Sequence, residues 1–130
     1  MAHTILIVDD NPSIRRLLRS FLETRTDYEV CGEAENGQVA LQKVEVLRPE
    51  VVILDLQMPV MDGLEAARHI AVRAPRTAIL MLTMHGSEPL KRYALANGVN
   101  AVLSKTEAVA ENLLAALKRV CRQDSSRLAS

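Results

Sequence analysis

The sequence predicts a three-layer α/β domain in which helices cover both faces of a five-stranded parallel sheet. Five short apolar runs alternate strictly with five segments of helical period, which is the order that parallel strands joined by helices require. The chain has 130 residues, of which 48% are hydrophobic and 25% are charged, and these values are typical of one globular domain. The sequence contains no repeat, low-complexity segment or internal linker.

The first three strands are predicted where β-branched and aliphatic residues run together, at Thr4–Val8, Tyr28–Glu33 and Val51–Asp55. Two helices lie between them. One begins at Asn11-Pro12, a capping residue followed by a proline suited to the first turn, and the other begins near Asn36-Gly37. Apolar residues three and four apart predict the inner faces of these helices: Ile14, Leu17, Leu18, Phe21 and Leu22 in the first, and Ala40, Leu41, Val44 and Leu47 in the second.

The second half of the chain continues the alternation. Pro59 and Gly63 break the chain before a third helix, which stops before Pro75. The last two strands are predicted at Ala78–Thr83 and Asn100–Ser104. The remaining features are two helix starts and one helix end: Ser87 caps the fourth helix, Asn97-Gly98 end it in a left-handed turn, and Thr106 opens the fifth.

Composition limits the partners that this chain can bind through its own surface. The formal net charge is zero and the aromatic residues are two Tyr and one Phe, which argues against direct binding of nucleic acid or of an anionic membrane. Residues 1–65 carry twelve acidic and six basic residues, a net −6, whereas residues 66–130 carry four and ten, a net +6. This asymmetry indicates either an early acidic site or a chance distribution over solvated helices.

The same sequence predicts a soluble, cytoplasmic protein. It has no signal peptide and no apolar run long enough to span a bilayer. Cys31 and Cys121 form neither a metal-ligand spacing nor a disulfide framework, and each is interpreted as a small buried hydrophobe.

Polar residues stand at the carboxyl ends of four predicted strands. Asp9 and Asp10 follow the first strand, Asp55 ends the third, Thr83 ends the fourth, and Lys105 follows the fifth. Ligands of such sheets bind outside the carboxyl ends of the strands. Three carboxylates suit Mg²⁺, and a lysine and a hydroxyl suit phosphoryl oxygens. Together they predict phosphoryl transfer, with a carboxylate as a candidate nucleophile.

Each of these residues also has an ordinary structural interpretation. The acidic pair favours a helix start, Asp55 could cap a strand end, Thr83 is a good strand former and Lys105 could be a solvated surface residue. Their joint occurrence at the same edge of one sheet favours the functional interpretation.

Four segments, VDDN, LDLQMPVMDG, LTMHG and VLSK, resemble the signature blocks of the response-regulator receiver domain of two-component signalling. The resemblance extends from Ile5 to about Val120. It implies a flavodoxin-like (βα)5 fold with strand order 2-1-3-4-5. It also implies a receiver domain over residues 1–122, followed at residues 123–130 by a C-terminal tail or the start of a linker.

The resemblance implies roles for the site residues. Asp55 would be the phospho-acceptor, taking its phosphoryl group from a sensor histidine kinase. Asp10 would bind Mg²⁺ directly and Asp9 mainly through water, with Asp55 and the backbone carbonyl of Gln57 as further ligands. Lys105 would pair with the phosphoryl group, and Thr83 would move in to bond it.

Phosphorylation is then expected to switch the face formed by helix 4, strand 5 and helix 5. The basic residues of that face are Lys91, Arg92, Lys118, Arg119 and Arg122, although an ordinary wet helix surface would look the same. Many receivers carry an aromatic switch residue at the position of Val102, which is aliphatic here, so a backbone shift of the loop after strand 4 is expected in place of an aromatic switch. Many also carry a proline at the position of Thr106, so no cis-proline constraint is expected there. Gln57 and His85 occupy two positions that vary within the family.

Two outputs remain open. The blocks GEAENG and LTMHG most resemble the NarL/FixJ subfamily, which is usually joined to a LuxR-type helix-turn-helix, so DNA would be reached only through an output domain that these residues do not include. The alternative is a stand-alone receiver that acts by protein contact, and a homodimer formed on phosphorylation is compatible with either. No enzymatic turnover is expected beyond self-dephosphorylation.

Functions from other classes fit the sequence less well. A phosphatase with an aspartyl nucleophile would need an acid two residues after the nucleophile, where Gln57 stands, and an FMN carrier would need a hydroxyl-rich loop after strand 1. An adaptor without chemistry would require an accidental set of acids.

Overall fold

The computed structural model describes residues 3–84, 86–106 and 109–129, with side chains as far as Cys121. Within these residues the chain forms five strands and five helices in strict alternation. The strands are β1 Thr4–Val8, β2 Glu29–Ala34, β3 Val51–Asp55, β4 Ala78–Thr83 and β5 Ala101–Ser104. The helices are α1 Pro12–Arg25, α2 Gly37–Leu47, α3 Gly63–Arg73, α4 Glu88–Ala96 and α5 Val109–Ala129.

The five strands form one parallel sheet in the order β2-β1-β3-β4-β5, which confirms the predicted fold and strand order. The strand order reverses between β1 and β3, because the chain leaves β1 toward β2 on one side and leaves β3 toward β4 on the other. Such a reversal leaves a crevice at the carboxyl edge of the sheet. The carboxyl ends of the three central strands are level with one another, because Val8 pairs with Leu54 and Asp55 pairs with Leu82. Residues that follow these ends therefore meet at one place.

Two aliphatic cores lie on opposite faces of the sheet. In β1, Leu6 and Val8 belong to the core shared with α2, α3 and α4, whereas Ile5 and Ile7 belong to the core shared with α1 and α5. Every residue of β3 is buried. Such continuous apolar strands are expected when helices cover both faces of a parallel sheet, so the three layers are confirmed.

Helix starts follow the local sequence signals. Asn11 and Asn36 cap α1 and α2, each accepting a backbone N–H bond of 2.9 Å on its side-chain oxygen, and Pro12 is the first residue of α1. Ser87 caps α4 as predicted. At the end of that helix Gly98 has a φ of 98°, and a Cβ there would lie 2.5 Å from the Cβ of Ala71. A glycine is therefore required at this turn.

Two inward-facing predictions were wrong. Leu17 is 68% exposed, because it lies about 100° around the helix from Leu18, which with Leu22 occupies the centre of the buried face. Leu47 is 38% exposed and covers the flat backbone of Gly32 at the rim of the sheet, where a Cβ would lie 2.9 Å from a Leu47 methyl.

The last helix extends further toward the C-terminus than predicted. Its described part starts at Val109, and Thr106, whose N–H and hydroxyl are both bonded to the Ser104 hydroxyl, lies before it; the predicted helix start after Thr106 falls on residues 107–108, which lie outside the described residues. The helix continues to Ala129, through the segment predicted to be a polar tail, which contains good helix formers such as Arg, Leu and Ala. The assignment of residues 123–130 to a tail or linker stays a prediction. Among the described residues, no helix is both long enough and apolar enough to cross a membrane.

Candidate functional site

Three carboxylates meet where β1 and β3 end. Asp9 and Asp10 are the first two residues after β1, and Asp55 is the last residue of β3. One oxygen from each lies within 4.8 Å of the others. Asp9 and Asp55 are buried, with exposures of 2% and 6%, whereas Asp10 faces solvent. The predicted acidic cluster is therefore present in the structure.

Lys105 joins two of these carboxylates. Its Nζ donates at 2.8 Å to Asp9 Oδ2 and at 2.8 Å to Asp55 Oδ1. The backbone N–H of Lys105 donates to the carbonyl of Thr83 at 2.9 Å, which fixes the residue after β5 against the end of β4. The ammonium group consequently touches the carboxylate that the sequence predicts to accept a phosphoryl group.

The negative charges at the site outnumber the positive ones. Burial raises the pKa of Asp55 above its ordinary value, and the charges of Asp9 and Asp10 add to this, whereas the bond to Lys105 opposes it. For Lys105, burial lowers the pKa, but the bonds to Asp55 and Asp9 outweigh burial and raise the pKa overall. Lys105 is thus charged at neutral pH. Three carboxylates against one ammonium leave an excess of negative charge that favours a further cation.

The two neighbouring aspartates have different environments. Asp9 Oδ1 accepts the Asn11 N–H at 2.9 Å and Oδ2 accepts Lys105, so both oxygens are engaged. The Asp10 side chain has no hydrogen bond or ion pair among the residues that the structure describes. Exposed, unengaged carboxylate oxygen is the donor that a hard, well-hydrated cation such as Mg²⁺ takes. The residues present therefore fit a divalent cation, with Asp10 the most available ligand.

The loop between β3 and α3 holds Asp55 at its start. The Gly63 N–H donates to the Leu56 carbonyl at 2.8 Å, and a Cβ at Gly63 would overlap the carbonyl of Asp55. Only glycine lets the start of α3 approach the strand end this closely. Asp62, which the sequence did not identify as a cap, accepts the Glu65 N–H at 2.9 Å. Gln57 is exposed in this loop, two residues after Asp55.

The remaining predicted positions lie at the β4–β5 side of the site. Thr83 is the last residue of β4, is 3% exposed and pairs in register with Ser104. Val102 is half-buried and packs against the core on its face of the sheet. His85 lies outside the described residues. The structure thus brings the strand-end residues to one edge, and their chemical roles stay predictions.

Arg15 also belongs to this region, although no motif in the sequence identifies it as a residue of the site. Its side chain is only 18% exposed, and it bonds both the Asp9 carbonyl and the Glu33 carboxylate. The spacing of Arg15 and Arg19, four residues apart and on one face of α1, was the available signal. Their common partner Glu33 comes from β2 and could not be assigned without the strand order.

The chain matches the family model described as the response regulator receiver domain over residues 5–118. Because this match covers most of the chain, the chain belongs to the response regulator receiver domain family. The predicted family and its two-component signalling context are confirmed.

Individual relatives agree with this assignment. The response regulator protein VraR of Staphylococcus aureus (strain Mu3 / ATCC 700698) is 34% identical over 125 residues, which cover 96% of this chain and 59% of VraR. A protein-glutamate methylesterase/protein-glutamine glutaminase of Pseudoalteromonas atlantica (strain T6c / ATCC BAA-1087) is 35% identical over 132 residues, covering 95% of this chain and 35% of that protein. The chain therefore spans less than two thirds of the length of each of these relatives.

A solved structure agrees as well. A two-component response regulator of the LuxR family from Aurantimonas sp. SI85-9A1 is 30% identical, with a TM-score of 0.86 over 93% of this chain and 86% of that one. This similarity is in keeping with the predicted NarL/FixJ, LuxR-type character of the receiver.

Proposed function

We propose that Asp55 accepts a phosphoryl group from a sensor histidine kinase and that the chain switches a response regulator in this way. The observation that carries the proposal is the position of Lys105, whose ammonium lies 2.8 Å from an Asp55 oxygen beside two further carboxylates. A buried acceptor next to one lysine and an acidic cluster combines a nucleophile, a cation and a metal-binding set.

The transfer exchanges one bond to phosphorus for another. An Asp55 carboxylate oxygen attacks the phosphorus of the kinase phosphohistidine, the O–P bond forms as the N–P bond breaks, and the histidine nitrogen keeps the electron pair. Lys105 is placed to neutralise charge on the phosphoryl oxygens. Mg²⁺, when bound, would supply further charge neutralisation, held directly by Asp10, Asp55 and the carbonyl of Gln57, and through water by Asp9.

A phosphoryl group on Asp55 would change the hydrogen bonds that the Lys105 ammonium makes. It adds roughly one negative charge beside the ammonium, which draws Lys105 away from Asp9 and toward the phosphoryl oxygens. Since the Lys105 N–H is bonded to the Thr83 carbonyl, this movement is transmitted to the ends of β4 and β5. With Val102 aliphatic, the expected response is a shift of the loop after β4, which changes the face formed by α4, β5 and α5.

This switching can be followed by NMR. Beryllofluoride with Mg²⁺ should move amide resonances across residues 99–117 in the wild type but not in Asp55→Ala. Unchanged shifts in that region, with the phosphate analogue bound, would contradict the switching mechanism.

The output is proposed from the family and from the longer relatives. We infer a DNA-binding output domain of the LuxR type attached to this receiver, with homodimer formation on phosphorylation and a cytoplasmic location. A stand-alone receiver acting through protein contact is the alternative. No catalytic turnover beyond self-dephosphorylation is expected, because Gln57 offers no acid two residues after Asp55.

The acceptor assignment is tested with acetyl phosphate, Mg²⁺ and intact-mass spectrometry. The wild type should gain the mass of one phosphoryl group, and Asp55→Ala should gain none. Asp27→Ala, which removes an exposed aspartate, is the matched control and should gain as much as the wild type. An equal gain in Asp55→Ala would place the modification elsewhere, and no gain in any form, with beryllofluoride also failing to bind, would contradict the function.

A further inference from the structure

An ion network on α1 and β2 reaches the backbone of the acidic pair. Arg15 Nη1 donates to the carbonyl oxygen of Asp9 at 2.6 Å, while Arg15 Nε donates to Glu33 Oε1 at 3.0 Å. One guanidinium therefore connects the end of β2 to the first residue after β1. Its side chain is only 18% exposed, so this contact is largely shielded from solvent.

Glu33 is held in turn from several sides. Its Oε2 accepts Arg19 Nε at 2.7 Å, and the ammonium of Lys43 contacts its backbone carbonyl. The bond to Arg19, and to a smaller extent that to Arg15, lowers the pKa of Glu33 below its ordinary value, so the carboxylate is charged at neutral pH. The Asp9 N–H also donates to the neighbouring Ala34 carbonyl at 3.1 Å. The anchor for Arg15 is therefore ionised and held by more than one bond.

The bond to the Asp9 carbonyl has a direct consequence for Asp10. That carbonyl and the Asp10 N–H belong to one planar peptide unit, so Arg15 fixes the plane from which Asp10 starts. Among the described residues the Asp10 carboxylate makes no hydrogen bond and no ion pair. No bond of its own orients this carboxylate, so its place relative to Asp9 and Asp55 depends on the backbone that carries it.

We propose that Arg15 is a positioning residue for Asp10 and that it determines how tightly the acidic cluster binds Mg²⁺. Glu33 acts through Arg15, because it holds the guanidinium against the Asp9 carbonyl and away from the carboxylates. The inference rests on the proposed Mg²⁺ site but not on the phosphoryl acceptor. Partners outside the ligand shell commonly change metal affinity by about 10- to 100-fold.

Charge and position predict opposite signs for the removal of Arg15. A positive charge next to an acidic cluster repels a cation, so Coulomb's law alone predicts that Arg15→Met binds Mg²⁺ more tightly. Loss of the positioning bond predicts weaker binding. The chain offers a matched control in Arg19, which lies on the same helix and bonds the same Glu33 but has no contact with Asp9 among those described.

The test is to titrate each protein with Mg²⁺ in an isothermal titration calorimeter, without a phosphodonor. Circular dichroism verifies that each variant is folded. Arg15→Met should weaken Mg²⁺ binding by about tenfold, and Arg19→Met should change it by less than about twofold. Arg15→Lys keeps the charge without the two-pronged geometry, so it should also weaken binding; it decides the question if Arg15→Met does not fold.

Equal or tighter Mg²⁺ binding in a folded Arg15 variant would overturn the positioning role. An equal loss in Arg15→Met and Arg19→Met would overturn it too, because only one of the two residues touches the acidic pair. If the wild type itself binds no Mg²⁺, the metal part of the proposed function fails, which is a result distinct from failure of the positioning role.

Discussion

Replacing Val60 by glycine should make the chain more stable, although it removes a hydrophobic side chain. Val60 has a φ of 71°, and the Met61 N–H donates to the Pro59 carbonyl at 2.8 Å, so Val60 is the centre of a three-residue turn with positive φ. A β-branched residue is strained in this conformation by about 1–3 kcal/mol. The Val60 side chain is 75% exposed, so its removal loses little burial.

Two terms set the magnitude for Val60→Gly. Glycine adopts this φ without strain, but it gives the unfolded chain more freedom, which costs roughly 0.4–1 kcal/mol. The free energy of unfolding should therefore increase by about 1 kcal/mol, and the melting temperature should rise by about 3 °C for a domain of this size.

Urea unfolding followed by far-UV circular dichroism measures this change, and it suits a chain without tryptophan. Val60→Ala is the matched control: it loses the branch but keeps the Cβ, so it should recover only part of the gain. Gly98→Ala tests the reverse case, since it places a Cβ at a φ of 98° and should destabilise the chain. A Val60→Gly protein no more stable than the wild type would refute the assignment of strain to this turn.

Three further predictions concern the site and its charges. Asp10→Ala should weaken Mg²⁺ binding, measured by calorimetry, more than Asp9→Ala does, because Asp9 is already engaged by Lys105; equal losses would contradict the division between direct and water-mediated ligands. Asp55→Asn should raise the free energy of unfolding at pH 7, because the pKa of Asp55 is raised in the folded protein and stability is therefore lost as Asp55 ionises with rising pH. In urea titrations at different pH values, the gain should vanish below the ordinary carboxyl pKa. A gain that persists there would show that the ionisation of Asp55 is not its cause. Glu33→Gln should cost about 1 kcal/mol at neutral pH, and because the pKa of Glu33 is lowered, this difference should disappear as the pH falls through its folded value; a pH-independent loss would point to packing instead.

Much of the fold follows from local patterns in the sequence. The strands could be placed because short aliphatic runs end at polar residues, and the helix starts because Asn11, Asn36 and Ser87 are good caps. The site could be predicted because all parallel strands end at the same edge of the sheet. Asp9 and Asp55 are therefore expected to lie close together even when the detailed structure is not known. The order of the strands came from family resemblance and was not contained in the local pattern.

Other features depend on contacts between distant segments. The bond between Arg15 and Glu33 exists because β2 lies beside β1, a pairing that periodicity does not reveal. Leu17 follows helical spacing and is exposed all the same, because the buried stripe is narrower than the apolar set. The positive φ of Val60 belongs to the loop between β3 and α3, and valine itself gives no sign of it.

The bond between Lys105 and Asp9 also bears on how the molecule is made. It joins residues 96 positions apart, so it closes a loop containing most of the chain, and such contacts are formed late because of their entropic cost. During synthesis, Asp9 and Asp55 emerge long before Lys105 does. A nascent or truncated chain lacking β5 therefore holds the acids without their counter-charge. Competence for signalling is expected to arise in the same step that completes folding, so that incomplete chains do not compete for the kinase's phosphoryl groups.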